Sequence, residues 1–162
     1  MSGPPVVTHV GEDAWRDWRD VRLAALADSP DAFGASASEE QQLGEEAWRQ
    51  MTRAAAIFIA TAGGTAVGVV AGLARDCAQE RGLGAMWVAP AWRGRGVAPM
   101  LADAVVAWAR SQGARRLRLW VPADSARARR FYGKQGFRAT GRSRQFPGRP
   151  GRLIDEMLLD LS

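Results

Sequence analysis

The sequence predicts an α/β fold, a mixed central sheet of about six to seven strands flanked by about four helices, and three observations carry that prediction. Strand-type and helix-type runs follow one another in the order βααβββαβαββ, which puts helices on the faces of a mixed sheet. Two apolar runs, AAAIFIATA and TAVGVVAGL, flank the pair Gly63-Gly64, the two-residue turn that joins antiparallel strands. Beyond Val97, the residues Met100, Leu101, Ala104, Val105 and Trp108 keep helical spacing until Gly113 supplies a stop. The 162 residues suit one domain, residues 1–162, with its own core. No repeat, low-complexity tract or linker divides it.

In chain order, Val6 to Val10 is short and β-branched enough for a first strand. Asp13 is placed to cap a helix running through Leu26, with Trp15, Trp18, Arg22 and Ala25 on one face. Ser29-Pro30 ends it, and the acidic stretch SASEEQQLGEEAWRQM around Trp48 reads as a second helix. After the hairpin, Ala74 to Gly82 reads as a polar loop and Leu83 to Val88 as a strand stopped by Pro90. The helix from Val97 follows, and then Arg116 to Val121, where basic and apolar residues alternate as in a half-buried strand. Asp124 or Ser125 caps a short helix that carries Phe131 and Tyr132 and stops at Gly136. The segment from Phe137 and the terminal RLIDEMLLDL supply two last strands.

Composition narrows the function classes. Hydrophobic residues at 47% and charged residues at 24% are those of an ordinary globular domain rather than a disordered chain. No apolar run reaches the roughly 18 residues of a membrane span, and the first residues lack a basic flank followed by an apolar stretch. The chain is therefore read as cytoplasmic, with no membrane partner. One cysteine, Cys77, and one histidine, His9, argue against a disulfide framework and against a metal site built from such ligands. The net charge of +5 conceals a division: residues 1–90 hold 7 basic and 12 acidic groups, residues 91–162 hold 15 and 5. A nucleic acid, an anionic membrane or a phosphorylated cofactor would each suit the basic half.

The segment WVAPAWRGRGVAPML has the layout strand, glycine turn, helix start. Gly94 and Gly96 let backbone approach a phosphate closely, several N–H groups converge, and the helix dipole adds partial positive charge. Arg93 and Arg95 add full charge, while Pro99 removes one N–H from the cradle.

RGRGVA, Arg93 to Ala98, resembles the acyl-CoA motif of the GNAT superfamily of N-acyltransferases, with Arg93, Gly96 and Ala98 in the defining places. The resemblance continues through RLRLWV and through ARARRFYGKQGF, which is similar to the family's signature helix. With AFG at Ala32 to Gly34 and the final EMLLDL it covers nearly the whole chain. It implies a mostly antiparallel sheet and acetyl-CoA as cosubstrate. The pantetheine arm would lie in an opening between the strand before the glycine loop and RLRLWV, against the backbone of Trp87 and Val88. Arg93, Gly94, Arg95, Gly96, Val97 and Ala98 would hold the pyrophosphate, and Arg127, Arg130 or Lys134 the remaining phosphate. Asp124 stands where the family often has Asn, so an Asn-like donation to the cofactor is in question there.

Acetyl transfer from a thioester to an amine needs a neutral amine, a stabilised oxyanion and a proton for the thiolate. By resemblance Tyr132, the only tyrosine, is the general acid, and the Val88 N–H is the oxyanion donor. Glu80 is the candidate base, with Asp76 as alternative. His9, on the first strand, is read as a surface residue, and Cys77 has no His partner nearby in the sequence, so direct transfer is expected over an acyl-enzyme. Asp28, Asp31, Glu39, Glu40, Glu45 and Glu46 fall in the region that covers the acceptor site and could attract a cationic amine. The reading is thus an N-acetyltransferase acting on a small-molecule amine. A protein or peptide N-terminus, and a non-catalytic acyl-CoA-binding module, are the alternatives. Nucleic acid is not expected, since no recognition-helix motif is found, and a homodimer stays open.

Overall fold

The computed structural model describes residues 3–162 as one seven-stranded sheet in the order β1-β2-β3-β4-β5-β7-β6. The strands are β1 Val6–Val10, β2 Ala55–Ala62, β3 Thr65–Ala74, β4 Glu80–Val88, β5 Arg116–Pro122, β6 Arg138–Gln145 and β7 Leu153–Asp160. Only β4 and β5 run parallel, and every other neighbouring pair is antiparallel. The helices are α1 Trp15–Asp28, α2 Ala37–Glu40, α3 Glu45–Ala54, α4 Val97–Ser111 and α5 Ala126–Lys134.

The hairpin forms as its sequence dictates: Gly63 and Gly64 have φ of 59° and 80°, the left-handed pair a two-residue turn requires. Its strands read as continuous apolar runs because both faces are covered. Ile57, Ile59 and Val69 pack with Trp15, Trp18, Trp48 and Trp87 under α1 and α3. Phe58, Val70, Leu117 and Leu119 pack with Leu101, Val105, Tyr132 and Phe137 under α4 and α5.

Three expectations are corrected, and one left open between two residues is resolved. Asp13 does not cap α1: Glu12–Ala14 forms a 3-10 turn and α1 starts at Trp15 with no side-chain cap. The acidic stretch is two helices, a single turn α2 capped by the Ser36 hydroxyl, and α3 starting after Gly44. Trp48, with no exposed surface, is the anchor that sets where α3 lies. The polar loop Ala74 to Gly82 is shorter than expected, because β3 runs to Ala74 and β4 begins at Glu80, where ladder bonds and ion pairs extend strands past their apolar residues. Ser125, not Asp124, caps α5 by accepting from the Ala128 N–H at 3.3 Å. Among the described residues no helix is long and apolar enough to cross a membrane.

β4 carries the irregularity that shapes the site. Trp87 lies opposite Val69 and Gly84 opposite Ala71, so β4 has one more residue than β3 across this interval. Ala85 absorbs it at φ 56°, the left-handed backbone of a bulge. β4 pairs with β5 only from Glu80 to Gly82, against Arg116 to Arg118, so the two parallel strands have already parted where the bulge begins.

Candidate active site

The separated ends of β4 and β5 open a cavity of about 700 Å³, lined by 83–88, by 119–122, by the glycine loop and by one face of α5. Ser29, Ala32 and Phe33 line its far side. The glycine loop stands at its mouth. Gly94 and Gly96 have φ of 75° and 87°, a conformation side chains with a Cβ resist. A Cβ built on either glycine would project into open space. Gly96 is also the N-cap of the 15-residue α4, so the Val97 and Ala98 N–H groups, which have no intrahelical partner, and the positive end of the helix dipole converge on that space. These residues fit the pyrophosphate of acetyl-CoA, and the cavity behind them fits its pantetheine arm.

The expected cofactor ligands divide. Gly94, Gly96, Val97, Ala98, Trp87, Val88 and Arg127 all line the cavity. Arg130 and Lys134 are exposed on α5. Arg95 folds back over the Trp92 ring, 4.3 Å from its centroid. Asp124 is paired with Arg152 at 3.2 Å. Arg93 lines the mouth, but its Nε donates to the Val88 carbonyl at 2.9 Å and its Nη2 to Asp28 Oδ2 at 2.6 Å.

Val88 lies opposite Gly68, and the next N–H, of Ala89, donates to the Val67 carbonyl at 2.8 Å. Antiparallel alternation then turns Val88's own N–H and carbonyl away from β3 and toward the opening. Tyr132 lines the same cavity, is 7% exposed and is held by edge contacts with Phe131 and Phe137 at 4.9 and 5.6 Å. Burial alone pushes its phenol well above the ordinary value, so the hydroxyl keeps its proton at any physiological pH.

Glu80 is elsewhere. At the paired end of the two strands its Oε1 accepts from Arg118 at 2.7 Å and Arg116 at 3.0 Å. The Arg118 hydrogen bond leads in holding its carboxyl below the usual range, against burial and with help from Arg116. Arg118 also pairs at 2.5 Å with Glu156, a carboxylate 1% exposed that accepts from Thr140 at 2.8 Å. Glu80 therefore ties β4 to β5 and, through Arg118, to β7, and is not among the residues lining the cavity. Asp76 and Cys77 are exposed in the β3–β4 turn, and His9 stacks on Phe58 at 4.8 Å. Among the acidic residues expected to attract an amine, Asp28, Glu40, Glu45 and Glu46 are engaged by Arg93, Arg22, Arg49 and Arg53.

Sequence reasoning missed a clasp over the far side. Arg149 donates to the Pro30 carbonyl, and to that of Phe33 at 3.1 Å, while Arg152 donates to the Asp31 carbonyl at 2.8 Å. Gly34 and Gly148 pack so closely that a Cβ on Gly148 would strike the Gly34 carbonyl. The run PGRPGR between the last two strands was its only signal, and read alone it marks a turn.

The sequence profile of the acetyltransferase (GNAT) family matches residues 12–137. Among solved structures, an acetyltransferase of the GNAT family from Streptococcus pneumoniae superposes with a TM-score of 0.80 at 16% identity, over 98% of this chain and 100% of that one. For yncA from Salmonella typhimurium, solved with its cofactor acetyl-CoA, the values are 0.78, 15%, 99% and 95%. For nourseothricin acetyltransferase they are 0.61, 26%, 67% and 66%. A search of curated proteins finds no match. The profile spans the splayed strands, the glycine cradle and the Tyr132 helix, and on that ground the chain belongs to the GNAT family of acetyl-CoA-dependent acetyltransferases.

Proposed function

We propose that the protein transfers the acetyl group of acetyl-CoA to a primary amine of a small molecule in one direct step, with Tyr132 as general acid. The observation that carries the acceptor class is the clasp: residues 146–152 lie across Pro30 to Gly34 and hold in place the segment whose Ala32 and Phe33 line the cavity. An extended peptide needs an open groove there, whereas a small amine needs only a pocket. The 26% identity to nourseothricin acetyltransferase, whose name specifies a small-molecule acceptor, points the same way.

When bound, acetyl-CoA supplies an activated thioester carbonyl. The Val88 N–H donates to the carbonyl oxygen as it gains charge, which a fixed donor in a water-poor site does without reorganising. Tyr132 gives its proton to the departing thiolate, and its raised pKa guarantees that the proton is there to give. No carboxylate lines the cavity among the described residues, so the amine attacks in its neutral form, and the proton its nitrogen sheds as the amide forms passes through water and restores the Tyr132 phenol.

Two-substrate kinetics test the direct step. Varying amine and acetyl-CoA together gives intersecting lines, and Cys77→Ala, at an exposed position remote from the cavity, retains most activity. Parallel lines, with radiolabel from acetyl-CoA left on the protein and lost in Cys77→Ala, establish an acyl-enzyme instead.

A further inference from the structure

The side chain of Arg93, the first arginine of RGRGVA, is turned back onto the end of β4. Parallel pairing with β5 would give the Val88 carbonyl a donor, but the strands have parted at this point, and an orphaned backbone carbonyl is costly. Arg93 takes the place of the missing strand: its Nε donates to that carbonyl at 2.9 Å. Its Nη2 reaches back to Asp28, the last residue of α1, at 2.6 Å. The same Oδ2 of Asp28 also accepts from Trp87 Nε1 at 2.9 Å and from the Ser29 hydroxyl at 2.7 Å.

The Val88 N–H, the donor aimed into the opening, thus sits between two anchored points. Upstream, the Trp87 indole is tied to Asp28. Downstream, the peptide plane joining Val88 and Ala89 is held on both sides, by Arg93 at its carbonyl and by Val67 at its N–H. Without these ties a strand end that has lost one neighbour is free to twist. The anchoring carboxylate stays ionised, since Trp87 first, then Ser29 and Arg93, hold Asp28 down at about 2.

We propose that Arg93 and Asp28 form a positioning pair that aims the Val88 N–H at the reacting carbonyl, and that the Arg93 guanidinium serves this purpose rather than binding phosphate. The pair sets the rate of the acetyl transfer and leaves acetyl-CoA affinity to the glycine backbone and α4.

The test uses Arg93→Met, Arg93→Lys, Asp28→Asn and the double variant Arg93→Met with Asp28→Asn. Arg93 is exposed, so its variants should fold even if changes at Asp28 loosen α1. Each is measured with the wild type's fastest acceptor, small amine or peptide, so failure of the small-molecule reading leaves this test intact. Because a misaimed oxyanion donor loses transition-state stabilisation, Arg93→Met should lower kcat by about ten- to a hundredfold with the acetyl-CoA KM within about twofold. Arg93→Lys, which can reach one partner, recovers part of the rate. The double variant costs no more than Arg93→Met alone, as expected of residues acting as a unit. A raised acetyl-CoA KM at unchanged kcat would make Arg93 a phosphate ligand and overturn the proposal. Unchanged kcat in Arg93→Met, or strictly additive losses in the double variant, would overturn it equally.

Discussion

Tyr132 is the only tyrosine in the chain, so its ionisation can be followed in the native protein without a second phenol. Tyr132→Phe keeps the ring against Phe131 and Phe137 and removes only the acid, and kcat should fall by roughly 10² to 10⁴ with acetyl-CoA binding preserved. The raised pKa also has a stability consequence. Its native value lies above the unfolded one near 10, so the stability it contributes is complete below about pH 10 and is lost as pH rises toward the native value. Denaturant melts should fall more steeply on the alkaline side in the wild type than in Tyr132→Phe, with tyrosinate absorbance appearing only as the protein unfolds. The place of this residue beside the cavity was legible because the motif around it is local. That of Glu80 was not, since its partners Arg116 and Arg118 lie 36 and 38 residues away and meet it only through the register of β4 on β5. The turn of the Arg93 side chain toward Asp28 was equally hidden, because a glycine-loop arginine reads as a phosphate ligand until α1 is seen beside it.

Among the elements, the hairpin, α4 and the glycine loop were legible because each is specified by neighbours in sequence: a glycine pair, a 3.6-residue stripe, a turn before a helix. The bulge at Ala85 and the clasp over Pro30 to Gly34 were not, because each arises from how segments meet across the sheet. Both legible and hidden elements can be tested. Gly96→Val forces a β-branched side chain into φ 87° and into the space the cradle leaves open. Linkage should raise the wild type's melting temperature with acetyl-CoA, and in Gly96→Val that shift should vanish while the unliganded protein stays folded. Arg149→Ala releases the clasp from the carbonyls of Pro30 and Phe33. It should change the acceptor KM several-fold while leaving the acetyl-CoA-induced melting shift intact, as expected when uniform binding to one substrate is altered. A lost melting shift in Arg149→Ala would mean that the clasp supports the cofactor instead.

Over the whole molecule, the acidic and basic halves of the chain acquire a structural meaning. Around α1 and α3 the first half's own arginines engage Glu12, Glu40, Glu45 and Glu46, while the second half brings the glycine loop and α5 to the mouth of the cavity. The sheet's single parallel pair, which parts after Gly82, places the glycine loop, the Val88 backbone and Tyr132 around one space. Free-thiol release from acetyl-CoA, screened across small primary amines and peptides with free N-termini, tests whether that arrangement is an acetyl-transfer site. Thiol release should require an amine, be supported by small amines in preference to peptides, and fall in Tyr132→Phe. Release with peptides alone, or at an undiminished rate in Tyr132→Phe, would contradict it.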